Sequence, residues 1–430
     1  LRDIPVTSLG DLFSNNTYIQ NQSFNENIYG LKINFNGNGY FDFIKYVNFV
    51  QNGTISTFSN IGGNNLGNAL IIENNKKSDI YINGNISSIF NEENENRKSE
   101  KSGNGLIIEM AEKILPHDPL PAANIVVNGN IFIKSKVNFD VSSKEFFDCS
   151  NGIFSSKADI KSINGNIKGN VERVVKNYSA SGAQIIHNRV GNGVVINNID
   201  NIYGNIDVNG NFRIVPVIMD TKTVNLSYNF SQNGIITMGK TENNYGSVAG
   251  RLMSKNKILN NPDFKISGNK NLMTRIRKSG NGMYVTRGIE NNFGSVNGFV
   301  YVKSIFKQES DNRYYVDEIS NSGNGVLSLS ANDVKNSGLI YGYSNKSNLE
   351  NETPYLKGNA ILFSGNGISF SNGFDGGVPM PPNKLVYGIK YTGILDNKGI
   401  IAGSNGAVAA ESITGTINNY GIMVHTDIKI

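Results

Sequence analysis

Histidine and cysteine are the side chains that most readily supply acid–base catalysis, a nucleophile or a zinc site. The chain of 430 residues has three histidines, His117, His187 and His425, and a single cysteine, Cys149. The histidines lack the spacing of a ligand pair. One cysteine can form neither an internal disulfide nor a cysteine-based zinc site. The sequence therefore predicts no cofactor and no metal.

The sequence also lacks the carboxylate and serine motifs of known metal sites and hydrolases. Asp200 and Asp207 are close in sequence, but aspartate does not recur at the spacing of the repeats described below. Neither a Gly-Gly-x-Gly-x-Asp calcium repeat nor an EF-hand pattern occurs. Serine-hydrolase motifs such as Gly-x-Ser-x-Gly are missing too. The sequence predicts that the protein is not an enzyme.

The Gly-Asn-Gly segment at 280–282 could cradle a phosphate, because glycine-rich loops do so in nucleotide-binding proteins. That chemistry requires a third glycine, and this chain has Val285 at that place. It also requires a helix after the loop, whereas the residues that follow favour a strand. We interpret the segment as a turn.

A group of basic residues is a candidate binding site. Arg275, Arg277, Lys278 and Arg287 lie close together in the sequence. Guanidinium and ammonium groups bind acidic groups through charge-assisted hydrogen bonds. We predict Arg275, Arg277 and Arg287 as binding residues of a basic patch for acidic glycans; the alternative is ordinary surface charge.

The segment SNGFDGGVPMPPNK at 371–384 is the clearest interruption of the repeats. Loops carried by a rigid scaffold are the exposed part where binding residues concentrate. Its prolines restrict the backbone, and its apolar side chains offer contact surface. We predict Phe374, Asp375, Met380 and Pro381 as binding residues; the alternative is a loop that only covers the core.

Composition narrows the class of protein. With 47 glycines, 19 tyrosines, 22 phenylalanines and 17% charged residues, the chain differs from disordered sequences. The net charge of +5 is too small to indicate nucleic-acid binding. An apolar run of about 18 residues, as a membrane span needs, does not occur. We expect the chain to be an excised piece of a longer protein.

Two motifs recur along the chain, which is the signature of a repeat architecture. Gly-Asn-Gly, or Asn-Gly, precedes an apolar pair at spacings of about 39 to 48 residues from Gly193 onward, and Asn-x-Gly-x-(Val/Ile)-x-Gly, as at 292–298, lies between its copies. Short strands of period two that repeat in this way stack as rungs. We predict an all-β fold, a right-handed parallel β-helix (solenoid) with loop insertions.

The spacing also predicts dimensions and boundaries. A period near 42 residues would divide into two coils of roughly 20 residues each, giving a rod of roughly 90 Å at about 4.8 Å per coil. We predict one elongated domain over 1–430. Its coils are loosely repeated at 30–190 and regular at 190–430, with an insertion at 371–388.

Glycine and asparagine have structural roles in this prediction. Coil corners need positive φ, which glycine adopts freely and asparagine tolerates best among the other residues. Asparagines at the same corner of successive rungs can form a hydrogen-bonded ladder. The register is in doubt only after Gly325, where Ser328 takes a position that is apolar in the other repeats.

The repeats resemble the passenger domains of monomeric (type Va) autotransporters. Ser322-Gly323-Asn324-Gly325-Val326, followed by the motif at 336–342, is similar to their "SGNGVxI…NxGxIxG" repeats. The composition is similar to that of the large fusobacterial autotransporter adhesins. The resemblance covers 190–430 well and 30–190 loosely.

The resemblance implies a monomeric, non-catalytic adhesin at the bacterial cell surface, anchored through a C-terminal outer-membrane barrel outside this chain. Its partners would be host glycans, host receptor proteins or other bacteria, and this segment would not insert into a membrane. Two alternatives stay open. One is a vacuolating-toxin-like secreted β-helix passenger, and the other is a polysaccharide-degrading β-helix enzyme.

Overall fold

The computed structural model describes most of the chain. The described residues are 17–21, 26–33, 39–43, 49–59, 66–74, 79–92, 98–110, 124–139, 143–155, 157–175, 183–218, 223–259, 270–306, 313–330, 332–348, 360–362, 364–370, 390–410 and 412–425. Within these ranges every regular element is a β-strand. None of the described residues forms a helix that could cross a lipid bilayer.

The strands pair in parallel, in sheets of 11, 20, 7 and 2 strands. Each winding of the chain crosses the 20-stranded sheet twice, on the two sides of a corner. Four columns of stacked strands, named A to D here, therefore run along the molecule. The predicted parallel β-helix is confirmed. Its right-handed sense and its single domain stay predictions.

Column A is the 11-stranded sheet and column D is the 7-stranded sheet. Column A consists of β1 (Thr17–Asn21), β3 (Gly39–Phe43), β5 (Leu70–Asn74), β9 (Leu106–Met110), β13 (Ile153–Phe154), β17 (Val194–Ile196), β21 (Ile235–Thr237), β25 (Met283–Val285), β29 (Val326–Ser328), β33 (Asn366–Phe370) and β37 (Gly406–Ala409). Column D consists of β8 (Lys98–Glu100), β12 (Ser143–Phe147), β16 (Ala183–Asn188), β20 (Thr223–Asn229), β24 (Lys270–Arg277), β28 (Arg313–Ser320) and β32 (Ala360–Leu362).

Columns B and C are the two halves of the 20-stranded sheet. Column B consists of β6 (Ile80–Ile82), β10 (Ile125–Val127), β14 (Asp159–Ile163), β18 (Asn198–Ile202), β22 (Thr241–Asn244), β26 (Ile289–Asn292), β30 (Val334–Asn336), β35 (Ile394–Asn397) and β39 (Thr416–Asn419). Column C consists of β7 (Ile86–Glu92), β11 (Ile131–Phe139), β15 (Ile167–Val175), β19 (Ile206–Ile218), β23 (Ser247–Leu259), β27 (Ser295–Phe306), β31 (Leu339–Asn348), β36 (Ile400–Gly403) and β40 (Ile422–His425).

The remaining strands are β2, β4 and a short pair. Strand β4 (Phe49–Ser59) pairs with both β6 and β7, so it joins columns B and C, and β2 (Glu26–Ile33) pairs with it. Strands β34 (Lys390–Tyr391) and β38 (Ser412–Ile413) form the two-stranded sheet.

One coil passes through columns D, A, B and C in that order, as β24 to β27 do. Met283 of β25 lies in register with Val326 of β29, so the coil has about 43 residues. For these middle coils the predicted division into two coils of roughly 20 residues is wrong, because the two motifs are two corners of the same coil. At the two ends of the described chain the prediction is confirmed, since Thr17 lies in register with Gly39 and Ile394 with Thr416, 22 residues apart in both cases. The 11 strands of column A then span about 48 Å rather than about 90 Å.

The Gly-Asn-Gly corner joins column D to column A. Positive φ occurs at Gly280 (65°) and at Lys278 (49°), but Gly282 does not share it. A Cβ on Gly282 would lie 2.6 Å from Val296 Cγ1 and 2.7 Å from the carbonyl oxygen of Gly325. The predicted positive φ is therefore confirmed for the first glycine and wrong for the second, which is required by close packing between coils.

The predicted asparagine ladder is confirmed. The backbone N–H of Asn281 and its Nδ2 both donate to Asn233 Oδ1, at 2.9 Å and 3.0 Å. The same ladder includes Asn68, Asn104, Asn151, Asn192, Asn324 and Asn366. Each step satisfies buried amide groups, which would otherwise be costly.

A second ladder lies at the corner between columns B and C. Each of its first four asparagines donates from Nδ2 to the Oδ1 of the next at 2.8 Å, and the fifth accepts only. The five asparagines are Asn244, Asn292, Asn336, Asn397 and Asn419.

Ser328 does not disturb the register. It lies in register with Val285 of the preceding coil and is buried. Its hydroxyl donates to the carbonyl oxygen of Ser330 at 2.9 Å. A serine can therefore take an inward position, because its one polar group is satisfied locally.

The described residues form two hydrophobic cores inside the coils and a third hydrophobic cluster on the other face of column A, which includes Ile236, Tyr284 and Leu327. The first lies between columns A and B and the start of column C, and includes Met283, Ile289 and Val296. The second lies between the end of column C and column D, and includes Ile276 and Val300.

Gly298 marks the boundary between the two cores. A Cβ at this position would overlap the backbone of Asn324, because the Gly-Asn-Gly corner of the next coil touches column C there. The register places Ile133 and Val208 at the same position in the coils nearer the N-terminus. Gly169 lies between these two in register, with the Val208 side chain against it. The boundary is therefore a contact between backbones in the later coils, whereas in the earlier ones the side chains of Ile133 and Val208 contribute to it.

Candidate functional site

A stack of exposed aromatic rings lies at the corner between columns B and C. Tyr203, Tyr245 and Phe293 are 53%, 46% and 49% exposed. Neighbouring ring centroids are 5.0 Å apart in both pairs, and the ring planes differ by 4° and 8°. The three rings therefore form one stack parallel to the axis of the rod.

The second motif explains why these rings point outward. In the segment Asn292-Phe293-Gly294, the amide of Asn292 donates to Asn336 in the buried ladder. Gly294 has no room for a Cβ, which would overlap the carbonyl oxygen of Gly246. The middle residue is the one that can carry a large side chain, and that side chain extends into solvent.

The same corner position continues towards the C-terminus. Ser337, Lys398 and Tyr420 follow Phe293 in register, because the asparagines that precede them pair with one another. We call these six positions, from Tyr203 to Tyr420, the corner row. Ser337 is the smallest of the six side chains, and it is exposed.

Polar side chains flank the aromatic stack. Asn243 and Asn291 each donate from Nδ2 to the Oδ1 of the preceding asparagine, at 3.1 Å to Asn201 and 3.0 Å to Asn243. On the other side, Ser295 Oγ lies 2.8 Å from Ser247 Oγ. Aromatic rings beside fixed amide and hydroxyl groups provide both apolar contact and hydrogen bonding for a ligand.

Sequence reasoning did not select the corner row. The signal was present, since the middle residue of Asn-x-Gly is aromatic in the two successive copies with Tyr245 and Phe293. The sequence alone does not predict the register between coils, which stacks these two rings on each other and places Tyr203 next to Tyr245.

The predicted basic patch is only partly assembled. Arg275 and Arg277 lie on alternate residues of β24, with the buried Thr274 and Ile276 on the inward positions. The two arginines therefore share the outer face of column D. Arg275 lies in register with Glu318 of the next coil.

Arg287 and Lys278 do not belong to that face. Arg287 is exposed at the corner between columns A and B, where its carbonyl oxygen accepts a hydrogen bond from Asn332 Nδ2 at 2.5 Å. Lys278 is only 4% exposed, and its Nζ lies 4.9 Å from the centroid of the Phe230 ring. Arg287 is separated from β24 by the short strand β25 of column A. The role of the three arginines as binding residues stays a prediction.

The predicted binding loop at 371–384 lies outside the described residues, and with it Phe374, Asp375, Met380 and Pro381. Their role as binding residues stays a prediction. His117 also lies outside the described residues.

The aspartates weighed as a metal pair are on different columns. Asp200 lies on β18 in column B, whereas Asp207 lies on β19 in column C and pairs with Arg251 at 3.1 Å. Burial, followed by the charges of Glu242 and Asp159, raises the pKa of Asp200. Among the described residues, three or more histidine, cysteine or acidic side chains do not converge anywhere in a way that could hold a metal ion.

Titratable side chains lie inside the second core, where sequence reasoning did not expect them. Lys144, Arg173 and His187 are at most 1% exposed. The His187 ring stacks between Phe146 and Tyr228, at centroid distances of 5.1 Å and 5.0 Å. The strict alternation with buried Ile185 was the available signal, since it places His187 on an inward position.

The protonation of His187 is strongly disfavoured. Burial is the larger cause and the charge of Arg173 the second, and together they hold the pKa of His187 well below its ordinary value of 6.5. Neither ring nitrogen has a hydrogen-bond partner within the described part of the chain. The imidazole is therefore neutral and acts as an aromatic packing group.

Asp148 and Arg189 form an ion pair at the edge of the same core. Arg189 Nε and Nη2 lie 2.6 Å and 3.0 Å from the two carboxylate oxygens. Burial raises the pKa of Asp148 to about 6, although Arg189 and Lys101 act in the opposite direction. Cys149, next in sequence, is buried and donates to the carbonyl oxygen of Phe147 at 3.0 Å.

The chain matches no protein-family model, no curated protein and no solved structure. The resemblance to autotransporter passengers therefore stays a prediction, and the function has to be argued from the surface of the rod itself.

Proposed function

We propose that this chain is a segment of a bacterial surface adhesin, of the autotransporter passenger type. In this proposal it is non-catalytic and monomeric, and it binds host glycans or cell-surface proteins. It is held at the cell surface by an outer-membrane barrel encoded elsewhere in a longer chain. The repeats quoted above and the exposed aromatic stack support this proposal.

The aromatic stack is the observation that carries the proposal. Large rings that are about half exposed, such as Tyr203, Tyr245 and Phe293, are unfavourable on a surface that contacts only water. Tyrosine and phenylalanine supply much contact area at low entropy cost, which suits a binding surface. The asparagine ladder beneath Tyr245 and Phe293, and the strand register at Tyr203, fix the spacing of the rings, so a ligand would meet a preorganised surface.

Binding is tested with purified protein on a glycan array and on a panel of immobilised host surface proteins. The triple variant Tyr203→Ala/Tyr245→Ala/Phe293→Ala should weaken binding roughly tenfold or more, since each ring is worth about 1 kcal/mol or more of contact. The matched control is Phe132→Ala, which removes an exposed ring on the outer face of column C.

Two results would overturn the proposal. One is release of unsaturated sugars from a polysaccharide, because a lyase would be an enzyme. The other is no binding to any glycan or receptor. Binding could instead persist in the triple variant and be lost when 371–384 are deleted. In that case the adhesin proposal stands, and the binding residues lie in that segment rather than in the aromatic stack.

A further inference from the structure

The corner row contains a notch at Ser337. Phe293 lies one coil before this serine and Lys398 one coil after it. Two steps of about 4.8 Å separate Phe293 from Lys398, so their Cα atoms are about 10 Å apart along the rod. The small side chain between them leaves room for one ring of a ligand.

The aromatic stack ends at this notch. Phe293 stacks on Tyr245 with its ring plane nearly parallel, and this covers one face of the phenyl ring. The next position in the row is Ser337, which has no ring to cover the other face. The Phe293 ring therefore presents an open face into the notch, and its 49% exposure agrees with this.

The amide row beside the stack ends at the same coil. Asn291 donates to Asn243, but its own Oδ1 accepts no hydrogen bond from the described residues. Its register neighbour in the next coil is Lys335, not another asparagine. An amide oxygen that accepts nothing from the described part of the chain therefore lies two residues before Phe293, in the same coil.

Lysines outnumber carboxylates in the notch. Lys335 and Lys398 are both exposed, and neither forms an ion pair within the described part of the chain. Asp396 lies in register with Lys335, so its negative charge offsets part of the positive charge of the notch. Both nearby carboxylates also have other contacts. Glu290 lies 3.2 Å from Lys240, and Asp396 Oδ1 accepts from Asn418 Nδ2 at 2.6 Å.

We propose that this notch, formed by Phe293, Asn291, Lys335, Ser337 and Lys398, binds a saccharide that carries a carboxylate. This inference deepens the proposed adhesin function and rests on it. It also assigns the acidic-glycan site to a different place from the arginines of β24.

Each part of such a sugar has a counterpart in the notch. Its C–H face packs on the open face of Phe293, an apolar contact with an aromatic ring. Its carboxylate lies between the ammonium groups of Lys335 and Lys398, as in charge-assisted hydrogen bonds. Its hydroxyls donate to Asn291 Oδ1 and exchange hydrogen bonds with the hydroxyl of Ser337.

The binding experiment uses a glucuronate-containing oligosaccharide and the same oligosaccharide with its carboxyl groups reduced to alcohols. Isothermal titration should give binding of the acidic form at least about tenfold tighter than the reduced form, as expected for a charge-assisted contact. Phe293→Ala and Lys335→Met should each weaken binding of the acidic form by about tenfold or more. The matched controls, Phe132→Ala and Lys168→Met, should bind like the unmodified protein.

Ser337→Tyr separates loss of the site from loss of the fold. A tyrosine at this position would continue the aromatic stack and fill the notch. Binding of the acidic oligosaccharide should fall by about tenfold or more, while the unfolding temperature stays the same or rises.

The proposal is overturned if Ser337→Tyr and Lys335→Met bind the acidic oligosaccharide as well as the unmodified protein does. In that case the binding itself still supports the adhesin function. Equal affinity for the acidic and reduced forms would overturn the assignment of the ligand class. Failure to bind any glycan or receptor in the wider panel would overturn the adhesin proposal as well.

Discussion

The two cores of this solenoid differ in the chemistry of their buried side chains. The first core is built mainly from isoleucine, valine and leucine, from Ile55 to Ile401. The buried side chains Lys144, Arg173 and His187 all lie on columns C and D, at the second core. Both cores have the same strand register, so the difference comes from the residues at inward positions.

Because of this difference, we expect the two cores to contribute differently to stability and to its pH dependence. Stacked aliphatic side chains need only volume and register, and each contributes about 1.5 to 3 kcal/mol on burial. Buried titratable groups instead depend on specific partners and on pH. We therefore expect the first core to set the stability of the rod and the second core to set its response to acid.

The largest effect is expected at the boundary between the cores. Gly298→Ala should destabilise the protein by about 3 kcal/mol or more, because the new Cβ overlaps backbone atoms of Asn324 that cannot shift alone. Urea denaturation followed by circular dichroism measures the change.

The neighbouring substitution Asn297→Ala is the control, because Asn297 is partly exposed and lies next to Gly298 on the outward side. If Gly298→Ala costs no more than this control, the two cores are not separated by a rigid backbone contact. The contrast between the two cores would then not rest on a physical boundary at Gly298.

Much of the fold of the regular coils could be predicted from the sequence. Period-two alternation and the asparagine positions predicted the strands, the corners and the ladders of residues 190–430. The second glycine of each motif was visible too, but its cause is contact with the next coil, as at Gly282. Coil length was predicted correctly at the two ends, where register neighbours are 22 residues apart, and wrongly in the middle coils. Two corners of one long coil and the corners of two short coils give the same spacing along a sequence.

The looser repeats at 30–190 also have a physical explanation. Ile133 takes the position of Gly298 in an early coil, and its Cδ1 lies 2.9 Å from where a Cβ on Gly105 would be. The Ile133 side chain occupies the boundary there, so that coil does not need the glycine of the second motif, although Gly169 takes the position in the following coil. The corner row escaped prediction for another reason: stacking between Tyr203, Tyr245 and Phe293 depends on register across three coils.

The next effect concerns Asp148, at the edge of the second core. Its pKa is raised to about 6 in the folded protein, compared with an ordinary value of 3.8. Between these values the folded state holds a proton that the unfolded state has lost. Stability from this group is therefore fully present below about pH 4 and is lost as the pH rises through about 6.

Asp148→Asn should remove this dependence. The stability of the variant relative to the unmodified protein should rise by about 1 to 2 kcal/mol between pH 4 and pH 7. Urea denaturation of both proteins at each pH provides the measurement. A constant difference over this range would mean that the ion pair with Arg189 outweighs burial, and that the second core is less sensitive to pH at this edge.

The smallest effect, and the sharpest test of the contrast, is expected from His187→Phe. The imidazole already stacks between Phe146 and Tyr228, and neither ring nitrogen has a hydrogen-bond partner in the described residues. A phenyl ring keeps the stacking and removes two buried polar atoms, so stability at pH 7 should rise by about 1 kcal/mol.

The pH dependence of this variant has the opposite sign to that of Asp148→Asn. The folded pKa of His187 is lowered, so below about pH 6.5 the unfolded state binds a proton that the folded state does not. The unmodified protein therefore loses stability as the pH falls, and the advantage of His187→Phe should grow from pH 7 to pH 5 in urea denaturation. Ile185→Val, on the preceding inward position of the same strand, is the control and should show a difference that does not change with pH. If both variants behave alike, the acid response does not arise from His187, and the two cores differ in composition without differing in function.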